Sequence, residues 1–188
     1  MKELIAVAKA KPGALNYAAA GTGGMGHLGI ELLSMMTGIK LQFVPYKGSG
    51  PLISDLISGQ LQLALNNTIS TIAPLIKSNR LKPIAVGSEK RLAALPQVPT
   101  FGEAGLPGYE VITWFAIVAP AGTPKAIIDK ISSQTAALLA MPDTQESLAR
   151  LGMVPFISTR PDEVTALIRT DITKYAKIIK SAQIKIEN

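Results

Sequence analysis

The chain has no cysteine and a single histidine, His27, among its 188 residues. Without thiols there are no disulfides, no thiolate nucleophile and none of the cysteine-bearing zinc sites. The lone histidine also lacks cysteine or carboxylate companions at ligand spacing, so no metal is expected. Catalytic signatures are missing as well. Gly-x-Ser-x-Gly is absent, Gly48-Ser49-Gly50 lacks its spacing, one histidine would have to serve any triad, and the carboxylates are scattered over helix surfaces. No apolar run reaches the ~20 residues that cross a bilayer. Met1–Lys9 carries an apolar stretch of only five residues behind Glu3; it reads as a helix ended by Pro12-Gly13 rather than as an export signal. Charge is not concentrated either. The net +6 divides into ten basic against six acidic residues over 1–120 and nine against seven over 121–188. Lys174, Lys177, Lys180 and Lys185 repeat near helical spacing as a solvated face, so nucleic acid is not expected as a partner. A mild positive field favours anionic ligands.

What the chain does have is apolar material, 47% of its residues with a mean hydropathy of +0.29, enough to bury a substantial core in one large domain or two small ones. Its most informative stretch is Tyr17-Ala18-Ala19-Ala20-Gly21-Thr22-Gly23-Gly24-Met25-Gly26-His27, a strand that empties through a glycine-rich turn into a helix. Small residues let backbone approach a ligand, and the first N–H groups of the helix point outward at the positive end of its dipole. Such a junction suits an anion. Gly21-x-Gly23-x-x-Gly26 also matches the dinucleotide fingerprint, which expects an acid about twenty residues on. No Asp or Glu lies between Glu31 and Asp55, and His27-Leu28 stands where a phosphate loop needs Lys and Ser or Thr. A nucleotide-dependent, NADP-type enzyme is therefore the alternative and not the reading adopted, and no cofactor is expected.

Strands expected at Leu15–Ala20, Leu41–Val44, Leu61–Leu65, Lys82–Val86 and Val111–Val118 alternate at first with amphipathic helices at Met25–Thr37, Leu52–Ser58 and Ile69–Lys77. That alternation predicts an α/β fold with a mainly parallel sheet and helices on both faces. Gly38 and Gly59 are positioned as helix C-caps. From Thr123 the pattern becomes mostly helical. Thr123 is expected as an N-cap with Pro124 at the first helical position, followed by a helix over Pro142–Leu151, a strand over Met153–Ile157, and a last helix started by Thr159 with Asp162.

Several phrases occur in order: Pro12-Gly13-x-Leu15-Asn16-Tyr17, the Gly21–His27 loop, Val44-Pro45-Tyr46-Lys47-Gly48, Leu95-Pro96-x-Val98-Pro99-Thr100, Gly108-Tyr109-Glu110-Val111, Trp114-Phe115 and Ala119-Pro120-x-Gly122-Thr123-Pro124. With them the chain resembles the tripartite tricarboxylate transporter solute-binding receptors, the Bug family of periplasmic proteins. The resemblance implies a periplasmic-binding-protein-like (Venus flytrap) fold that closes on small carboxylates without catalysis. It also implies delivery to membrane transporter subunits and a periplasmic location. Nothing here corresponds to the upstream part of the family chain. Residues 1–118 are accordingly expected to be the family's second, ligand-binding α/β domain. Residues 119–188 are expected to be the hinge crossing and the helical end of an incomplete first domain. The apolar faces of the C-terminal helices would then pair in a homodimer; a fragment that only oligomerises without binding is a further alternative.

The resemblance carries over to Thr22, Gly23, Gly24, Met25, Gly26 and His27 as the turn holding one ligand carboxylate, against the plainer possibility of a packing turn. The His27 side chain is read as a possible donor, or else as solvated or capping. Tyr46 and Lys47 follow a strand end at a cleft edge, although a loop lysine is ordinarily solvated. Asn66 and Asn67 end the next strand and can hydrogen-bond a carboxylate or cap Ile69–Lys77. Phe115, beside Trp114, walls the cleft or packs beneath it.

Overall fold

In the computed structural model, which describes residues 1–65, 69–158 and 160–185, alternation along one strand organises the sheet. β1 (Asn16–Ala20) turns Tyr17 and Ala18, both fully buried, to opposite faces. It pairs in parallel with β2 (Gln42–Tyr46) on one side and with β3 (Leu63–Ala64) on the other, giving the order β2-β1-β3. Tyr17 is level with Phe43 and Leu63, and Ala18 with Val44 and Ala64. Each face consequently has its own helices. On the Tyr17 face, Ile30 and Leu33 of α2 (Met25–Thr37) and Ala8 of α1 (Lys2–Ala10) join Ile39, Leu63, Phe101, Leu106 and Tyr109 in the largest core. On the Ala18 face, Leu52 of α3 (Ser49–Ser58) packs with Leu61, Val44 and Ala64. A third cluster seats Ile69, Ala73 and Ile76 of α4 (Ile69–Lys77) against Val86, Leu95 and Val98.

Glycine ends the first two crossover helices as expected. Gly38 and Gly59 adopt left-handed φ of 68° and 81° at the C-caps of α2 and α3. Three expected strands are not formed. Lys82–Val86 contributes one parallel bridge, Val86 to Thr100, with Val86 N–H donating to Pro99 and Phe101 N–H donating to Val86. Pro83, which has no N–H, interrupts any longer ladder. Val111–Val118 and Met153–Ile157 have strand-like composition but no ladder partner among the described residues. β-propensity describes a fit to a neighbouring strand and forms nothing without one.

The described chain divides into two compact units, Met1–Thr113 with the residues from Lys177 onward, and Trp114–Ala176. The second contains α5 (Lys125–Leu139), α6 (Pro142–Arg150) and most of α7 (Pro161–Ser181). Pro124 itself occupies the N-cap position of α5, and the Thr123 hydroxyl donates instead to the Pro120 carbonyl at 2.8 Å. The expected cap is thus displaced by one residue, because the Thr123 side chain finds a nearer acceptor behind it. Thr159, expected to start α7, lies outside the described residues. Trp114 Nε1–H donates to Asp171 Oδ2 at 2.7 Å, and Lys174 pairs with the same carboxylate at 3.1 Å.

Candidate anion site at the carboxyl edge of the sheet

All three strands run the same way, so the loops after β1 and β2 leave from one edge, with Ala20 beside Tyr46. In the order β2-β1-β3 the chain steps from β1 out to β2 and then back across β1 to β3, and the crevice at such a reversal is where open α/β sheets take ligands. Gly21 N–H donates to the Tyr46 carbonyl at 3.0 Å and ties the two loops together. Gly21 and Gly23 have φ of 95° and 76°, conformations that favour glycine. The backbone then becomes extended at Gly24, and α2 begins.

The first intrahelical bond of α2 runs from Leu28 N–H to the Gly24 carbonyl at 3.0 Å. The N–H groups of Gly24, Met25, Gly26 and His27 precede it, and no described side chain caps this end. Thr22 is exposed beside them, Gly23, Gly24 and Met25 are half-buried, and Gly26 and His27 are buried. Gly26 is constrained by packing. A Cβ there would stand 2.7 Å from the Leu65 carbonyl oxygen and 3.2 Å from the Ala19 Cβ, so only glycine lets α2 sit this close to the sheet.

The solvated position considered for the His27 side chain is not observed: only 5% of the residue is exposed. Its ring stacks on Phe43 with centroids 3.8 Å apart and planes 15° from parallel. Nδ1 accepts the Gly23 N–H at 3.1 Å, which assigns the ring proton to Nε2, 4.0 Å from Glu31 Oε1. Burial pushes the His27 pKa below its usual value, and the Glu31 carboxylate opposes that only in part. The neutral ring therefore braces the turn from within. Glu31 in turn accepts the Tyr17 hydroxyl at 2.5 Å; burial first, then this carboxylate, pushes the ionisation of Tyr17 far up.

Tyr46 closes β2 rather than following it, and its hydroxyl donates to Asp55 Oδ2 of α3 at 2.5 Å, which raises its pKa. Lys47 is exposed. Asn66 and Asn67 lie outside the described residues. Phe115 belongs to the second unit and is 78% exposed. Sequence reasoning missed Tyr17, Glu31 and Asp55 as supports of this edge. Glu31 was findable, because it stands four residues after His27 on one helix face. Asp55 was not, since its relation to Tyr46 exists only once α3 packs on β2.

The sequence pattern described as tripartite tricarboxylate transporter family receptor matches residues 1–184. Protein BugT of Bordetella pertussis is 33% identical over 184 residues, covering 98% of this chain and 56% of its own. Among solved structures, Rpa4515 of R. palustris with adipate superposes with a TM-score of 0.84 at 34% identity, over 100% of this chain and 62% of that one. MatC of Rhodopseudomonas palustris with bound malate gives 0.78 at 28% identity, over 95% and 61%. The chain spans about half the length of the curated relatives it matches. These likenesses carry the parallel sheet and helices described above into the α/β periplasmic-binding fold. With the pattern running over nearly every residue and a third of the positions shared with BugT, the chain belongs to the tripartite tricarboxylate transporter receptor family.

Proposed function

We propose that this chain is the ligand-holding part of a receptor for a small carboxylate, which it binds unchanged and delivers to membrane transporter subunits in the periplasm. The observation that carries this reading is the start of α2, where four backbone N–H groups precede the first helical bond at the carboxyl edge of a parallel sheet. Thr22 and Lys47 add a hydroxyl and a positive charge on the two adjoining loops. The relatives seen with adipate and malate point to a dicarboxylate. In this reading residues 1–118 bind and residues 119–188 form the crossing and helical part.

A helix end contributes about 0.3–1 kcal/mol to an exposed anion, so an open site of this kind binds weakly. A Kd of ~1 mM, about 4 kcal/mol, that rises further with salt is expected. Thermal shift with adipate, malate, succinate, citrate, glutamate, NAD and NADP, followed by titration calorimetry, tests this. Dicarboxylates should stabilise the chain, and Gly23→Val, which forces a branched side chain into a left-handed backbone, should abolish the effect. Stabilisation by a nucleotide and by no carboxylate would overturn the reading.

We further propose that the exposed apolar side chains of the second unit are covered by a second copy of the chain. Ile127, Ile131 and Leu138 of α5, Ile172 of α7 and Phe156 are 40–64% exposed, and Val154 is 82% exposed. Patches of that kind drive association.

A further inference from the structure

Among the described residues, Gly23 N–H is the one amide of the anion turn held by a side chain, and the group that holds it can be protonated. We infer that His27 is the positioning residue of this turn, and that a proton added to its Nδ1 releases Gly23 and lets the turn open. This rests on the anion site proposed above and gives that site a proton-linked control.

The geometry allows the contact in one protonation state only. A neutral imidazole with its hydrogen on Nε2 offers Nδ1 as an acceptor, which is what the Gly23 N–H meets at 3.1 Å. An imidazolium has a donor on each nitrogen, so the same ring would then present N–H to N–H. Among the described residues, two titratable groups face the ring. From the helix that carries it, Glu31 faces Nε2 at 4.0 Å; from β1, Tyr17 lies 6.0 Å away between ring centroids and donates to Glu31; from β2, the stacked Phe43 carries no ionisable group. Tyr17 holds the Glu31 carboxylate in place, 4.0 Å from Nε2. The Phe43 stack fixes the plane of the ring, and the ring fixes the Gly23 amide. Left-handed backbone at Gly23 costs little, but nothing in glycine itself selects it. His27 supplies that selection.

The test is NMR on the full chain, without ligand, following the His27 ring nitrogens and the Gly23 amide against pH. Near neutral pH, Nδ1 should be unprotonated and Gly23 protected from exchange relative to Thr22. As pH falls, His27 should titrate below its usual value of 6.5. Gly23 protection, corrected for the intrinsic rate, should drop about tenfold with the same midpoint. Because the folded chain binds this proton less readily than the unfolded one, stability in urea should fall as pH drops through 6.5 and level off below the folded midpoint. His27→Asn, whose Oδ1 can accept the same N–H, should keep Gly23 protected at every pH; His27→Leu should lose the protection. Gly23 exchange that ignores the His27 midpoint, or that survives in His27→Leu, overturns the inference. Should either variant fail to fold, the titration of the unaltered chain decides alone. Adding adipate afterwards separates the two readings. If adipate leaves the Gly24 to His27 amides unmoved while Gly23 still follows His27, the carboxylate site fails and the proton-linked turn stands.

Discussion

Gly23 and Gly26 stand three positions apart in one motif and are glycine for different reasons. At Gly23 the constraint is backbone conformation, a φ of 76°, and the position is half-open. At Gly26 the φ is ordinary, and the constraint is the Leu65 carbonyl 2.7 Å from where a Cβ would sit. Backbone cannot give way as a side-chain tip can. Gly26→Ala should therefore lower stability by about 1–3 kcal/mol, the range of core overpacking, despite alanine's better helix propensity. Urea denaturation checks this; an unchanged or higher midpoint would mean that α2 can move off the sheet at no cost. Residue types thus announced the motif, whereas the separate task of each glycine came from its neighbours.

At the scale of elements, helices were easier to place from sequence than strands. α2 and α4 have the limits expected from periodicity and capping, because a helix satisfies its own hydrogen bonds and its signals are local. Strands depend on partners. Leu61–Leu65 shortens to the two residues in ladder register with β1, and three other apolar runs form no strand. The segment after Pro99 is instead held by a device the sequence does announce, Thr100-x-x-Glu103. Thr100 N–H donates to Glu103 Oε2 at 2.8 Å, and Glu103 N–H donates back to Thr100 Oγ1 at 3.1 Å, a capping box. Arg91 joins the Glu103 carboxylate at 2.8 Å, and with the Thr100 amide holds that carboxyl below its usual pKa. Thr100→Ala should cost about 0.5–2 kcal/mol, as cap removal does. A denaturation midpoint equal to the parent's would show that the box orders a segment already fixed by the stacked Phe101 and Tyr109.

For the whole molecule, the contrast between the two units matters most. The first buries most of its large apolar side chains in three clusters, whereas the second leaves Ile131 and Leu138 40% and 54% exposed on one helix. If a second copy covers that helix, light scattering at high micromolar concentration should give twice the chain mass. Ile131→Asp with Leu138→Asp should return the mass of one chain with the helical circular dichroism kept, because neither side chain is in a core. A parent chain that is already monodisperse at single mass would remove the dimer.

Sequence by itself determined the class of fold, the place of the glycine turn and the family, because periodicity, small residues and ordered motifs are properties of the chain that need no partner. It also excluded thiol chemistry outright. Tertiary structure decided which apolar runs became strands, that Tyr46 is directed to Asp55, and that the His27 ring, read from sequence as a donor or else as solvated or capping, is buried and accepts the Gly23 N–H. Each of those outcomes is a relation between residues brought together by packing. Local pattern encodes what a segment can form; only the neighbours that the fold supplies determine which hydrogen bonds it makes.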